Sequence, residues 1–391
     1  MTVDLHFETH GDPTAPPVLL LGSLGSDLHM WDPQIHALSA HHRVIAVDHR
    51  GHGNSPAPEG PYTMADLGGD VIALLDALGL DAVHFVGLSL GGAVGQWLAA
   101  YHPQRVRTLT LLCTAAQFAP ARPWLDRAAT VRADGVASIA ESVVDRWFTP
   151  ELAQRDPELV ARHVRMVSGT TDEGYAACCE ALSQWDVRAD LARIVAPTLA
   201  IAAEQDGPTP PSALRAIADG IAGAELRVLS PGAHLANVEQ AGAVTRLIEA
   251  HIAAATPVGV ARRAVHDIGM SVRRSVLGDA HVDRAIAGST AFTDPFQDFI
   301  TRTAWGDIWA REGLDHPTRR LLTLAILTAV GNEHELDMHI RAALRAGMDP
   351  DLLVEVFLHT AVYAGVPNSN RAFALGKQAL ADLTGAIEGS T

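Results

Sequence analysis

Val83-His84-Phe85-Val86 runs straight into Gly87-Leu88-Ser89-Leu90-Gly91-Gly92, and a helical stretch from Ala93 to Tyr101 follows. An apolar strand, a G-x-S-x-G turn and a helix, in that order, decide the reading of the first part of the chain. The turn is so sharp that side chains beside the serine would collide, which is why Gly87 and Gly91 flank it. The Ser89 hydroxyl is then held out at the C-terminal end of the strand. The helix N-terminus and the Leu90 N–H favour the negative charge of a tetrahedral intermediate. The plain alternative is an ordinary strand–helix turn. The clean apolar strand before the motif and the helix after it favour a nucleophile.

A serine hydroxyl is a weak nucleophile and needs a base held by an acid. On such a scaffold the acid and then the histidine follow the serine along the chain. The strand-like run Glu225–Leu229 leads into Ser230-Pro231-Gly232-Ala233-His234, so His234 is the expected base. The run before it, Pro197–Ala203, ends in Glu204-Gln205-Asp206, which makes Asp206 the expected acid and Glu204 its reserve. With 19 histidines in the chain, position after the right strand is what singles out His234. The second oxyanion donor should come from Gly22-Ser23-Leu24-Gly25-Ser26, with the Leu24 N–H as candidate. Asp48 and His52 precede Ser89, the wrong order for the acid and the base, and are assigned no chemistry.

Working outward, Pro17–Gly22, Arg43–Asp48 and Thr108–Cys113 are further continuous apolar runs, the pattern of strands covered on both faces. Helical segments such as Met64–Leu78 lie between them, giving the rhythm of a parallel sheet. From about residue 120 to 186 the rhythm breaks into charged helices carrying Trp124, Trp147 and Trp185, read as a cap over the sheet. After Ala255 no strand pattern returns. Thr256-Pro257-Val258-Gly259 reads as a break, and residues 262–391 read as a second, all-α domain behind a first domain of residues 1–255.

Composition bounds the function. The chain has 391 residues, 48% of them apolar and 19% charged, enough for two packed cores and too few charges for disorder. A formal net charge of −16 disfavours nucleic acid and anionic membranes as partners, though a pocket can be locally positive. The three cysteines, Cys113, Cys178 and Cys179, show no disulfide or metal spacing. No apolar run approaches the ~20 residues that span a bilayer. Met1–Asp12 carries Asp4 and Glu8 and no signal-peptide pattern. The expectation is a cytoplasmic protein without metal.

The stretches Gly22-Ser23-Leu24-Gly25-Ser26-Asp27, Met30-Trp31-Asp32-Pro33-Gln34 and Asp48-His49-Arg50-Gly51-His52-Gly53-Asn54-Ser55 join the serine motif in a resemblance to the α/β-hydrolase superfamily. Together with Arg146-Trp147-Phe148-Thr149-Pro150 and His234-Leu235-Ala236-Asn237-Val238-Glu239-Gln240, they look most like 3-oxoadipate enol-lactonases. Ala203 stands where the acid loop usually has glycine. The resemblance implies that Ser89 opens a lactone to an acyl-enzyme, which water activated by His234 releases, with no cofactor. Its substrate carries a free carboxylate, so a cation is expected in the cap. Arg146, Arg122 and Arg127 are open choices, and Trp147 is a candidate pocket wall.

In the second domain, Glu335 and His339 stand four apart on an expected helix and so share a face, with His334 elsewhere on its circumference. Glu355 and His359 repeat the spacing. A carboxylate and an imidazole on one face could move a proton, while a solvated or ion-paired face is the plain alternative. Leu314-Asp315-His316-Pro317-Thr318-Arg319-Arg320, Glu335-Leu336-Asp337-Met338-His339 and Tyr363-Ala364-Gly365-Val366-Pro367-Asn368 resemble the carboxymuconolactone decarboxylase family. Val276–Asp283 and Ala304-Trp305-Gly306 agree. Thiol peroxidases share that fold but need a C-x-x-C where this chain has Asn332 and Glu335, which excludes their chemistry. The resemblance makes Glu335 and His339 the candidates for proton delivery. The two resemblances imply consecutive steps of protocatechuate breakdown on small lactone carboxylates, and a homo-oligomer assembled through the helices. The alternative is a serine esterase or lactonase of other specificity with a helical oligomerisation domain.

Overall fold

The computed structural model describes residues 2–290 and 292–388. The chain divides into two compact units, Met1–Thr256 and Pro257–Thr391.

The first unit is built on a sheet of seven strands: β1 (Phe7–His10), β2 (Pro17–Leu21), β3 (Arg43–Val47), β4 (Val83–Leu88), β5 (Val106–Leu112), β6 (Thr198–Ala203) and β7 (Glu225–Leu229). Their order is β1-β3-β2-β4-β5-β6-β7, and all neighbours are parallel except β1 and β3. Residues of β2, β4 and β6 are buried throughout, as continuous apolar runs require when helices cover both faces. β1 has no such run. It is a half-exposed edge, Phe-Glu-Thr-His, and its pairing with β3 is invisible to a search for apolar stretches. β7 forms the other edge, where exposed Arg227 pairs with Glu225 at 2.9 Å.

Helices α1 (Asp32–Leu38), α2 (Met64–Ala77) and α3 (Leu90–Tyr101) follow β2, β3 and β4. Thr63 and Asp66 close a reciprocal capping box at the start of α2. The cap comprises α4 (Arg122–Asp134), α5 (Ala140–Val144), α6 (Pro150–Arg155), α7 (Pro157–Ser168) and α8 (Asp172–Ser183). Its two ends are pinned together by a bridge between Gln117 and Asp186 and by the Val187 N–H donating to the Ala116 carbonyl at 2.9 Å. The chain then passes through β6, α9 (Pro211–Gly220), β7, α10 (Ala236–Glu239) and α11 (Ala241–Ala254).

The second unit holds α12 (Pro257–Leu277), α13 (Asp279–Ala287), α14 (Asp294–Ile300), a π-helical run Thr301–Trp309, α15 (His316–Val330), α16 (Glu333–Arg345), α17 (Pro350–Ala364) and α18 (Val366–Glu388). Among the described residues it has no strand. One correction concerns its start. Pro257-Val258-Gly259, read as a break, is the first turn of α12, so the helices begin at Pro257 and not near residue 262. Proline is tolerated at a first helical position because its missing N–H would have no intrahelical acceptor. The π-helical run lies against α12 with backbones nearly touching. A Cβ on Gly269 would come within 2.1 Å of the Thr301 carbonyl oxygen, and one on Gly306 within 2.5 Å of that of Val265. The apolar core joins Leu324, Leu336, Ile340, Leu353 and Phe357, and a second cluster joins Val276, Leu277, Val282, Trp305 and Trp309. No described helix in the chain is long and apolar enough to cross a membrane.

Candidate active site

Ser89 sits between β4 and α3 with φ 56° and ψ −110°, a conformation that L-residues avoid. The surroundings enforce it. A Cβ at Gly87 would lie 2.3 Å from the Gly91 carbonyl oxygen, and one at Gly91 would lie 2.2 Å from that of Leu21. The Ser89 N–H donates to Leu112 O at 3.0 Å, and the Thr114 hydroxyl donates to Ser89 O at 2.7 Å. Backbone strain held by neighbours in this way clusters at functional positions.

His234 follows β7 and Asp206 follows β6. His234 Nδ1 lies 3.0 and 3.1 Å from the two Asp206 oxygens. Asp206 also accepts from the Thr209 N–H at 3.0 Å and the Thr209 hydroxyl at 2.6 Å. Burial opposes its charge, but the facing imidazole and the Thr209 donors outweigh that and hold the carboxyl below its usual range. Glu204, the reserve acid, is exposed and bonds the Ser230 hydroxyl instead. Ser89 and His234 line one cavity of about 180 Å³ with Ser23, Leu24, Trp124, Arg127, Arg146 and Trp147 among its walls. Among the described residues the Ser89 hydroxyl makes no side-chain hydrogen bond; such contacts are commonly long until substrate binds.

The N–H groups of Leu24 and Leu90 have no hydrogen-bond partner among the described residues. Leu90 is the first residue of α3, where no intrahelical acceptor exists. A donor adjoining Ser89 and a second on the same cavity are what a developing oxyanion requires.

The structure separates the three cap arginines. Arg122 is 82% exposed and paired with Asp126 at 2.7 Å, so it takes no part in the cavity. Arg127 stacks over the Trp124 ring at 4.9 Å and lines the cavity with Arg146. Burial and the neighbouring Arg127 both weaken proton binding by Arg146. Trp147 is buried, lines the cavity and packs edge-on against His163.

Several stretches that carried the resemblance position the histidine loop. Gln34 Nε2 donates to Asn237 O at 2.8 Å, and Asn237 Nδ2 donates to Met30 O at 2.8 Å. The Leu235 N–H donates to Trp147 O at 2.9 Å. Glu239 accepts from the Ala233 N–H at 3.1 Å and from the Thr149 hydroxyl, tying that loop to the cap. Thr209 did not stand out in the sequence beyond its nearness to Asp206, and Glu239 was quoted only as part of the stretch His234–Gln240, with no role assigned. Asp48 accepts from the Leu28 and Asn54 N–H groups at 2.7 and 3.0 Å, and His52 is fully buried, so both organise loops.

In the helical unit, Glu335 and His339 lie one turn apart on α16, both half-buried. Burial, with Arg320 and His281 nearby, pushes His339 down to about 4, so its imidazole is neutral at pH 7. His334 is exposed, and so are Glu355 and His359 on α17, the second pair resting in solvent with the His359 ring against Tyr363. Among the described residues no His/Cys/Asp/Glu group could hold a metal ion.

Residues 16–241 match the model of the alpha/beta hydrolase fold. The chain belongs to that family. Residues 294–378 match the carboxymuconolactone decarboxylase family, to which the helical unit belongs. 3-Oxoadipate enol-lactonase 2 of Acinetobacter baylyi is 41% identical over 248 residues, covering 63% of this chain and 92% of that protein. 4-Carboxymuconolactone decarboxylase of the same organism is 45% identical over 115 residues, covering 29% of this chain and 86% of that protein. The crystal structure of the enol-lactonase from Burkholderia xenovorans LB400 shares 40% identity at a TM-score of 0.62, covering 63% of this chain and 96% of that one.

Within this alpha/beta hydrolase, the cavity assembles a strained serine, a histidine with its acid, two free backbone donors and two guanidiniums. That set can attack an acyl carbon, stabilise the oxyanion and hold an anionic substituent on the same substrate.

Proposed function

We propose that this chain is a bifunctional enzyme. The helical unit decarboxylates 4-carboxymuconolactone to 3-oxoadipate enol-lactone, and the alpha/beta hydrolase unit hydrolyses that lactone to 3-oxoadipate. One observation carries the reading: a serine-hydrolase cavity walled by Arg127 and Arg146 shares a chain with a member of the carboxymuconolactone decarboxylase family.

In the hydrolase unit, His234 takes the Ser89 proton as Oγ attacks the lactone carbonyl, and the N–H groups of Leu24 and Leu90 receive the oxyanion. The ring C–O bond breaks, and His234 returns the proton to the leaving enol oxygen. Water, deprotonated by His234, then attacks the acyl-enzyme and frees Ser89. Arg127 and Arg146 hold the free carboxylate, and Trp147 walls the pocket. In the helical unit, the bond to the departing carboxylate breaks, its electron pair enters the conjugated lactone, and one proton is delivered to carbon by the Glu335–His339 face. Neither step calls for an added cofactor.

The helical unit exposes Phe292 (92%), Val362 (79%), Tyr363 (79%) and Val330 (68%), apolar side chains of the kind that further copies of the same chain would cover. Buried thiols without disulfides fit a reducing cytoplasm. The test is to supply 4-carboxymuconolactone to the full chain and to Ser89→Ala, following CO2 and 3-oxoadipate. The wild type should make both. Ser89→Ala should release CO2 and accumulate enol-lactone. No CO2 from folded protein that still hydrolyses enol-lactone would refute the decarboxylase assignment.

A further inference from the structure

Arg273 on α12 and Arg320 on α15 are 5% and 8% exposed, and neither has a carboxylate partner among the described residues. Arg273 Nη1 donates to Gln297 Oε1 at 3.0 Å and to the Thr301 hydroxyl at 3.3 Å, while its Nε has no partner. Arg320 Nη1 has none either. A buried guanidinium is normally paired, since its desolvation is otherwise uncompensated. Here burial alone acts on both, lowering their proton affinity with no anion to offset it.

Two imidazoles connect these arginines. His339 lies within electrostatic reach of Arg320 and His281, and His281 within reach of Arg273 and Glu335. His281 also lines a cavity of about 440 Å³ with Arg284 and Arg345. The carboxylate in that wall, Asp279, is held by Arg274 at 3.0 Å. Glu335 is an acidic group within electrostatic reach of His281, in a chain whose net charge is −16. A cluster of this sign on so acidic a protein lacks a counter-charge that a ligand would supply.

We propose that Arg273 and Arg320, flanking His281 and His339, form the binding site for a compact dicarboxylate, entered from the cavity that carries Arg284 and Arg345. Assigning 4-carboxymuconolactone as that dicarboxylate rests on the decarboxylase reading; the anion site itself does not. Planar guanidiniums suit carboxylates because they bond them in bidentate fashion. The arriving anion also offsets the charge of Arg320, which adds to burial in lowering the proton affinity of His339.

The test uses the full-length chain and a saturated lactone bearing the same two carboxylates, which has no conjugated electron sink and cannot lose CO2. Amide hydrogen exchange read by mass spectrometry locates its binding. Protection is expected in α12, α13, α15 and α16, and should be lost in Arg320→Met. Arg320→Lys keeps the charge without the fork and should retain partial protection; it also serves if Arg320→Met does not fold. In CO2 release, Arg320→Met should raise KM at least tenfold, while hydrolysis of enol-lactone by the other unit stays unchanged. Protection that depends on Arg320 without CO2 release from wild type would keep the anion site and refute the decarboxylase. CO2 release with wild-type KM in both variants, or no protection of those helices, would overturn the proposal.

Discussion

His234 turns Nδ1 toward both oxygens of Asp206 while the Thr209 hydroxyl donates to Asp206 Oδ2 at 2.6 Å. The carboxylate is therefore fixed from two sides, and the imidazole keeps its proton on Nδ1 with Nε2 free to take one from Ser89. Asp206→Asn would present an amide N–H to Nδ1 and favour the other tautomer. Enol-lactone hydrolysis should fall about 10⁴-fold in kcat, as loss of the acid does in triads generally. Glu204→Gln, on the surface beside Ser230, should stay within about twofold of wild type. Steady-state kinetics of the two variants separate the acid from its reserve.

The nucleophile turn makes a steric prediction. Gly91→Ala drives a methyl into the Leu21 carbonyl at 2.2 Å, and backbone there is part of β2 and cannot yield cheaply. The variant should lose about 1–3 kcal/mol or more of stability and most of its hydrolysis. Gly207→Ala, in the acid loop with nothing within 4 Å of the added methyl, should be near neutral in urea unfolding and in activity.

These two cases mark what was legible in the sequence. The serine turn could be read because covalent geometry leaves glycine no substitute at Gly87 and Gly91. Asp206 could be read because it follows the apolar strand β6, and His234 because it follows the last strand-like run, although that run is the half-exposed edge β7. The three cap arginines could not be told apart in the sequence, because Arg122 and Arg127 share α4 and Arg146 follows α5, and only the packing decides which of them turn inward. Arg122 faces solvent and Asp126, whereas Arg127 is turned inward over Trp124. β1 escaped notice because an edge strand need not be apolar. Arg273 and Arg320 were unmarked because a sequence lists arginine without saying that it is buried or unpaired.

Arg146 supplies a specificity prediction. If it and Arg127 hold the substrate carboxylate, Arg146→Met should raise KM for enol-lactone about 10- to 100-fold, the loss of a charge-assisted bond of about 1.5–3 kcal/mol. Turnover of a small neutral ester such as p-nitrophenyl acetate should change little. Equal losses on both substrates would mean that Arg146 shapes the cap and does not read the anion.

His49 makes the acid side of the stability curve testable. It is fully buried, its Nε2 lies 2.9 Å from Gly22 O, and burial together with His52 pushes it from 6.5 to about 3. Asp48 and His52 are its ionisable neighbours in the same loop, with the His52 ring 5.7 Å away. Between pH 6.5 and about 3 the unfolded chain binds a proton at this position that the folded chain refuses. Stability therefore rises with pH through that window and is lost as pH falls, by up to about 1.4 kcal/mol per pH unit for one proton. His49→Gln cannot take up that proton and keeps a donor for Gly22 O. Urea unfolding at pH 7, 6 and 5 should show a shallower decline in the variant by about one proton. An unchanged slope would place the acid sensitivity of this unit at other buried groups.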